Sequence, residues 1–310
     1  MSQSIKHGRT HRAPGQHAVA IAEAVDTAWN TSNHSGRRDV ALSVVAALSL
    51  IGQRDPHGPD LAEQLRAQNA EDFAGTLREI YTALVNARPD LTHLVFPLMQ
   101  WVFDEPQPAL QRAAKYTADA ALYEGQLELT GTDNRYDTDL LGIVLTLLKS
   151  DSAGKANAQI YTPSAIAETM GEVLMAELNA PREGQSIMDP AVGTGGLFRA
   201  AAQVMRERGQ DPSTVSWYGA DIDDLAIAAC AVNSVLWRLG PRMLLCVADT
   251  LTEGGWAHRA EAQRTEILQL TETIRRDKLM ISAVRTAQRL TELAVDDDDP
   301  DIDDQRDDQE

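Results

Sequence analysis

Cysteine is nearly absent from this chain of 310 residues, which contains only Cys230 and Cys246. This excludes a disulfide-rich fold, and without C-x-x-C or H-x-x-H spacing no metal site is predicted. Long apolar runs are also missing, whereas a membrane helix needs about 18 consecutive apolar residues. Residues 1–16 lack the apolar stretch of a secretory signal. We therefore expect a cytoplasmic protein without membrane association.

Basic residues are scarce as well, because 28 Lys and Arg face 46 Asp and Glu, giving a net charge of −18. Residues 296–310 carry half of it, since ten acids against Arg306 give −9. Such a run cannot bury itself, and disorder is predicted there. A solubilising tail is one interpretation, and mimicry of a phosphate backbone is the other. The remaining charge is unfavourable for neutralising phosphates without a partner.

The amino-terminal half has the apolar spacing of helices interrupted by turn signals. After a flexible segment over 1–16, a helical domain is predicted over 17–150. Breaks are expected at Asp55-Pro56, Arg88-Pro89 and Glu105-Pro106. The predicted helices cover residues 18–29, 40–51, 61–68, 72–86, 91–103, 109–123 and 138–148.

A glycine-rich turn follows a short apolar run, Ser186-Ile187-Met188, that predicts a strand. The turn reads Asp189-Pro190-Ala191-Val192-Gly193-Thr194-Gly195-Gly196. Glycine permits a positive φ and close approach of a ligand to the backbone, and the predicted helix over 197–208 presents free N–H groups. The spacing fits neither the dinucleotide fingerprint G-x-G-x-x-G nor the P-loop.

The turn resembles the S-adenosylmethionine (SAM) turn of N6-adenine DNA methyltransferases, in particular of type I restriction-system modification subunits, with the pattern Asp-Pro-x-x-Gly-Thr-Gly-Gly. The resemblance implies SAM as the cofactor and a set of binding residues in the turn. These are Asp189, Pro190, Gly193, Thr194, Gly195 and Gly196.

An upstream block, Gln159-Ile160-Tyr161-Thr162-Pro163, precedes an amphipathic run over 164–178. It is similar to the family's Gln-Phe-Tyr-Thr-Pro block, with Ile160 in place of Phe. The resemblance implies that Tyr161, Thr162 and Pro163 close over the methionine end of SAM.

Two further strands are predicted downstream, over 215–221 and 243–248, with a helix over 224–239 between them. Asp221 ends the first strand and is placed to accept hydrogen bonds from ribose hydroxyls, with Ile222 beside it. The second strand leads into Asp249-Thr250-Leu251, which resembles the family's Gly-Asp-Thr-Leu segment, with Ala248 in place of Gly. The resemblance implies that Asp249 accepts from the adenine amino group.

The family's catalytic block, Asn/Asp-Pro-Pro-Tyr/Phe, is missing, since no Asn-Pro-Pro, Asp-Pro-Pro or Ser-Pro-Pro occurs in the sequence. Catalytic residues therefore stay unassigned. The place where the block is expected has the apolar period of one long amphipathic helix over 258–294. A degenerate fourth strand over 278–282 is the alternative.

These patterns predict an α/β fold in which the helical domain is followed by a partial, Rossmann-like SAM-dependent methyltransferase sheet. The predicted boundaries are 151–257 for the SAM-binding domain, 258–295 for the long helix and 296–310 for the acidic tail. The resemblance implies N6-adenine methylation of DNA within a restriction-modification system, with DNA as a partner and a second subunit completing the site. The alternative is a catalytically silent SAM-binding regulatory or assembly subunit of a DNA modification system.

Overall fold

The computed structural model describes residues 12–32, 36–52, 58, 60–150 and 183–296, with side chains up to residue 286. The predicted Tyr161-Thr162-Pro163 block lies outside the described residues, and so does the acidic run beyond residue 296. Two compact units divide the chain, residues 1–264 and 265–310. Within the described residues, no helix combines the length and the apolar character that crossing a membrane requires.

Helices account for the described residues before the sheet, as the sequence predicts. Asp60 and Asn69 begin α3 and α4 by accepting hydrogen bonds from backbone N–H groups of the first turn. The short α7 was not predicted, and it follows Gly125, whose φ is 87°. The helices are α1 (Pro14–Thr31), α2 (Arg38–Ser49), α3 (Leu61–Ala67), α4 (Ala70–Ala87), α5 (Thr92–Phe103), α6 (Pro108–Tyr123), α7 (Gln126–Thr130) and α8 (Leu140–Ser150).

Three parallel strands form a small sheet in the order β1-β2-β3. They are β1 (Ser186–Asp189), β2 (Ser216–Asp221) and β3 (Met243–Val247), joined by α9 (Gly196–Glu207) and α10 (Asp224–Leu236). Ser186 lies opposite Ser216, and Trp217 lies opposite Met243. The three predicted strands are confirmed, whereas α10 ends before the predicted residue 239. Arg238 and Gly240 explain the early end, because their φ angles of 50° and 92° interrupt the helix.

One hydrophobic core joins the helical part to the sheet. It contains Trp29 and Leu98 from the helices, Trp217 and Leu245 from the strands, and Trp237 after α10. Helix α10 contacts α2, α5 and α8 as well as β2 and β3. The helical part and the sheet therefore share their packing through α10.

The last described helix, α11 (Trp256–Asp296), begins within the first unit. Its Trp256 and Ala260 cover the other face of the sheet, where they pack with Leu244 and Cys246 in a second cluster. The long helix is confirmed, and the alternative strand over 278–282 is wrong, because these residues are helical.

In the second unit, the apolar side chains that give α11 its helical period are exposed. Leu270, Ile274, Ile281 and Val284 each keep about half of their surface accessible.

Candidate functional site

The carboxyl ends of the three strands meet at one edge of the sheet, and each strand leads into an acid there. Asp189 ends β1, Asp221 ends β2, and Asp249 follows β3. This convergence is expected for parallel strands, whose carboxyl ends form the usual ligand-binding edge of an open α/β sheet. In the chain, the predicted site residues outside the 151–182 segment stand at these three strand ends or in the loops and turn that follow them.

The glycine turn between β1 and α9 is tied to β2 at two points. Val192 N–H donates to the Ala220 carbonyl at 2.9 Å, and Gly193 N–H donates to Asp221 Oδ2 at 3.0 Å. Gly193 and Gly195 adopt positive φ angles of 55° and 95°, which explains why glycine occupies both positions. Gly195 is also the residue that precedes the first turn of α9.

Asp221 organises the backbone on both sides of the edge. Its Oδ2 accepts from Gly193 N–H, and its Oδ1 accepts from Asp223 N–H at 3.0 Å. Asp223 in turn caps α10 through Leu225 N–H and pairs with Lys149 of α8. The acid predicted as a ribose acceptor is therefore held by the turn and by the start of α10.

Asp189 shapes its own turn by accepting a hydrogen bond from Ala191 N–H at 2.9 Å. Burial raises the pKa of Asp189, the negative charge of Asp221 adds to this, and the Ala191 hydrogen bond opposes it. Two carboxylates therefore lie within electrostatic reach of each other at this edge. Such an arrangement favours ligands with hydroxyl groups or positive charge.

The loop after β3 joins the same edge, because Thr250 Oγ1 donates to the Pro190 carbonyl at 3.0 Å. Asp249 Oδ1 accepts from Leu251 N–H at 3.1 Å, which fixes the turn of that loop. Leu251 is 96% exposed, and Ile222 after β2 is 65% exposed. Two large apolar side chains thus lie uncovered beside the acids.

Thr194 differs from its neighbours because its side chain is buried, with 1% exposure. Its hydroxyl donates to Asp139 Oδ2 at 2.5 Å, and Asn233 Nδ2 donates to the same carboxylate and to the Thr194 carbonyl. The sequence predicts no site role for Asp139 or Asn233. An Asp just before a helix is normally interpreted as a cap, and nothing in the sequence connects it to a turn 55 residues away.

Comparisons with known proteins point to one family. The family model described as N-6 DNA methylase matches residues 137–267. The methylase subunit of the type I restriction enzyme MjaIX from Methanocaldococcus jannaschii is 32% identical over 83 residues, which are 27% of this chain and 14% of that protein. The type II methyltransferase M.MamI from Microbacterium ammoniaphilum is 27% identical over 172 residues, which are 50% of this chain and 44% of that protein.

Among solved structures, the methyltransferase subunit of a type I restriction-modification system from Streptococcus thermophilus superposes with a TM-score of 0.45 and 16% identity. The superposition covers 78% of this chain and 60% of that one. The chain spans less than half the length of the two curated relatives. The residues matched by the N-6 DNA methylase model, 137–267, include the glycine turn and all three strands.

Proposed function

We propose that this chain binds S-adenosylmethionine at the carboxyl edge of the sheet and is the cofactor-holding part of an N6-adenine DNA methyltransferase. The observation that carries the proposal is the hydrogen bond from Gly193 N–H to the Asp221 carboxylate. It joins the glycine turn to the acid that ends the second strand, and a nucleoside site of this kind requires both elements.

The Asp221 carboxylate fits a ribose. An ionised carboxylate offers about four acceptor positions on two oxygens. The N–H groups of Gly193 and Asp223 take one position on each oxygen. One further position on each oxygen matches the two neighbouring hydroxyls of a ribose.

The apolar neighbours fit an adenine ring. Ile222 and Leu251 are large, exposed side chains that flank the acids, and burial against a flat ring would remove their apolar surface from water. We assign the adenine amino group to Asp249, whose loop is joined to the turn through Thr250 and Pro190. The methionine end is assigned to Tyr161, Thr162 and Pro163.

The first residue of α9 supports close approach of the cofactor to the backbone. A Cβ at Gly196 would meet nothing within 4 Å, so the protein itself does not require glycine there. Glycine at that position suits a ligand lying against the turn. When bound, SAM supplies a methyl group activated by its sulfonium, and the residues of this chain bind and orient it.

The target-base pocket is assigned to a second polypeptide. In the part of the chain that the structure describes, β1 pairs with β2 only, and Met188 on β1 is 56% exposed. The sequence has no Asn-Pro-Pro or related block to accept hydrogen bonds from a target amine. An added strand beside β1 would place its carboxyl end next to the cofactor and carry these acceptors, with adenine in DNA as the substrate.

A silent SAM-binding subunit of a DNA modification system is the second candidate. The missing block and the net charge of −18 favour it, because the chain lacks both the amine acceptors and the positive charge that DNA phosphates need. In this case SAM binding regulates or stabilises an assembly.

A methyl-transfer assay separates the two candidates. The purified chain is incubated with radiolabelled SAM and DNA free of N6-methyladenine, alone and together with the proteins encoded beside it. Label in DNA only with a partner supports the split enzyme. SAM binding without label in any combination favours the silent subunit, and label with this chain alone would contradict the assignment of the target pocket to a partner.

A further inference from the structure

The glycine turn contains one side chain that points away from the proposed cofactor. In the run Gly193-Thr194-Gly195-Gly196, only Thr194 has a side chain, and it is 1% exposed. Its hydroxyl lies 2.5 Å from Oδ2 of Asp139, the residue before α8. Since a carboxylate only accepts, the hydroxyl donates. The inner side of the turn is therefore attached to the helical part of the protein.

The Asp139 carboxylate collects three donors from three parts of the chain. Besides the Thr194 hydroxyl, its Oδ1 accepts from Gly142 N–H at 2.9 Å and from Asn233 Nδ2 at 2.8 Å. Asn233 is 1% exposed and uses its other amide hydrogen for the Thr194 carbonyl at 2.9 Å. Thr194 is thus held at both its side chain and its backbone.

Gly142 supplies the space for this arrangement. A Cβ at position 142 would lie 2.4 Å from Asp139 Oδ2 and 2.6 Å from Thr194 Oγ1. Both distances are far inside van der Waals contact, so no other residue type fits while the pair is in place. The same pair of atoms therefore explains the glycine in α8 and the threonine in the turn.

We propose that Asp139 is a positioning residue for the SAM-binding turn and that it acts through Thr194 and Asn233. The carboxylate fixes the inner side of the turn so that the backbone of Gly193 and Gly196 is presented to the cofactor. The helical part is then a component of the cofactor site, because α8 and α10 hold the turn from behind. The effect on SAM affinity rests on the proposed function, whereas the effect on the turn itself does not.

Paired substitutions test the role in binding. Thr194→Val removes the hydroxyl while keeping the shape of the side chain, and it should weaken SAM binding by about tenfold or more. Thr194→Ser keeps the hydroxyl and should weaken SAM binding by less than about threefold. Asp139→Ala removes every acceptor and should match Thr194→Val. Asp139→Asn should retain most of the affinity, because its carbonyl still accepts from Gly142 and Asn233 while its amide donates to Thr194 Oγ1.

Amide hydrogen exchange measures the turn without SAM. Exchange of the Gly193 and Gly195 amides should quicken by about tenfold in Asp139→Ala and Thr194→Val, and should stay near wild type in the Asn and Ser variants. The control is Ser43→Ala, since Ser43 Oγ accepts from Trp101 Nε1 at 2.9 Å inside the helical core. That variant loses two buried hydrogen bonds away from the turn, because Ser43 Oγ also bonds to the Tyr81 hydroxyl at 3.1 Å.

The two readouts keep the proposals distinguishable. If wild type does not bind SAM, the proposed function fails, and the exchange rates still decide the role of Asp139. If Thr194→Val has the amide exchange rates and the SAM affinity of wild type, Asp139 does not position the turn. This test does not depend on Asp139→Ala being able to fold. Equal acceleration at the turn in Ser43→Ala would overturn it too, because general destabilisation would then explain the effect.

Discussion

The inner and outer sides of the glycine turn differ in almost every physical property. On the inner side, Thr194 and Asn233 are buried and hydrogen-bonded to Asp139, and a Cβ at Gly195 would crowd Cys230 and Trp237. On the outer side, a Cβ at Gly196 would meet nothing, and Ile222 and Leu251 are exposed. Contacts within the protein therefore specify the inner side, whereas under the proposed function the cofactor specifies the outer side.

The largest expected effect comes from breaking the inner side with Gly195→Val. Position 195 has a φ of 95°, and the new Cβ would lie 3.1 Å from both Cys230 Sγ and the Trp237 ring. Left-handed backbone and overpacking together should lower the free energy of unfolding by about 2–5 kcal/mol. SAM binding should be abolished. Urea denaturation and calorimetry measure the two effects, and a variant of wild-type stability would contradict the packing described for this side.

The next largest effect is expected when Asp221, the acid on the outer side, is replaced. Asp221→Ala should weaken SAM binding by about 1–3 kcal/mol, since a charged acceptor of the ribose hydroxyls is lost. Asp211→Ala is the control, because Asp211 is an exposed acid that caps a short helix before β2. If both variants titrate like wild type, Asp221 does not bind the ribose.

A smaller effect is expected at Gly196 than at its neighbour Gly195. Residue 196 is the first residue of α9, and a Cβ there would contact nothing inside the protein. Gly196→Ala should therefore change the free energy of unfolding by less than about 1 kcal/mol. SAM affinity should nevertheless fall by about tenfold, because the methyl group occupies the space of the ligand. Thermal unfolding and calorimetry on the same sample test this. Wild-type affinity would place the ligand away from Gly196.

The smallest effect concerns the ionisation of the Asp139 carboxyl group on the inner side. Burial raises the pKa of Asp139 above 3.8, although hydrogen bonds from Thr194, Gly142 and Asn233 and the charge of Arg199 oppose the shift. The folded state then holds a proton more readily than the unfolded state, so its stability falls as pH rises from about 4 through the folded pKa. Asp139→Asn cannot titrate. The melting temperature of wild type relative to this variant should therefore decrease with rising pH, and a constant difference would contradict the raised pKa.

The outer side was largely predictable from the sequence. Apolar runs that end in Asp189, Asp221 and Asp249 predict strands, and the carboxyl ends of parallel strands must meet at one edge. Helical periodicity predicted the long α11 and the described helices before the sheet other than the short α7. The end of α10 was missed because Arg238 takes a left-handed conformation that its residue type does not signal.

The inner side was not predictable. Asp139 also accepts from Gly142 N–H within its own helix start, so its local sequence is fully explained by capping. Its other partners lie 55 and 94 residues away and meet it only after α8, α10 and the turn have packed together. Tertiary hydrogen bonds of this kind leave no periodic signal in the sequence.

Calorimetric titration of the purified wild-type chain with SAM and with S-adenosylhomocysteine tests whether the carboxyl edge of the sheet binds the cofactor. We expect saturable binding of one molecule per chain, with micromolar affinity for both ligands. Folded protein that takes up neither ligand would contradict the assignment of the outer side of the turn to a cofactor.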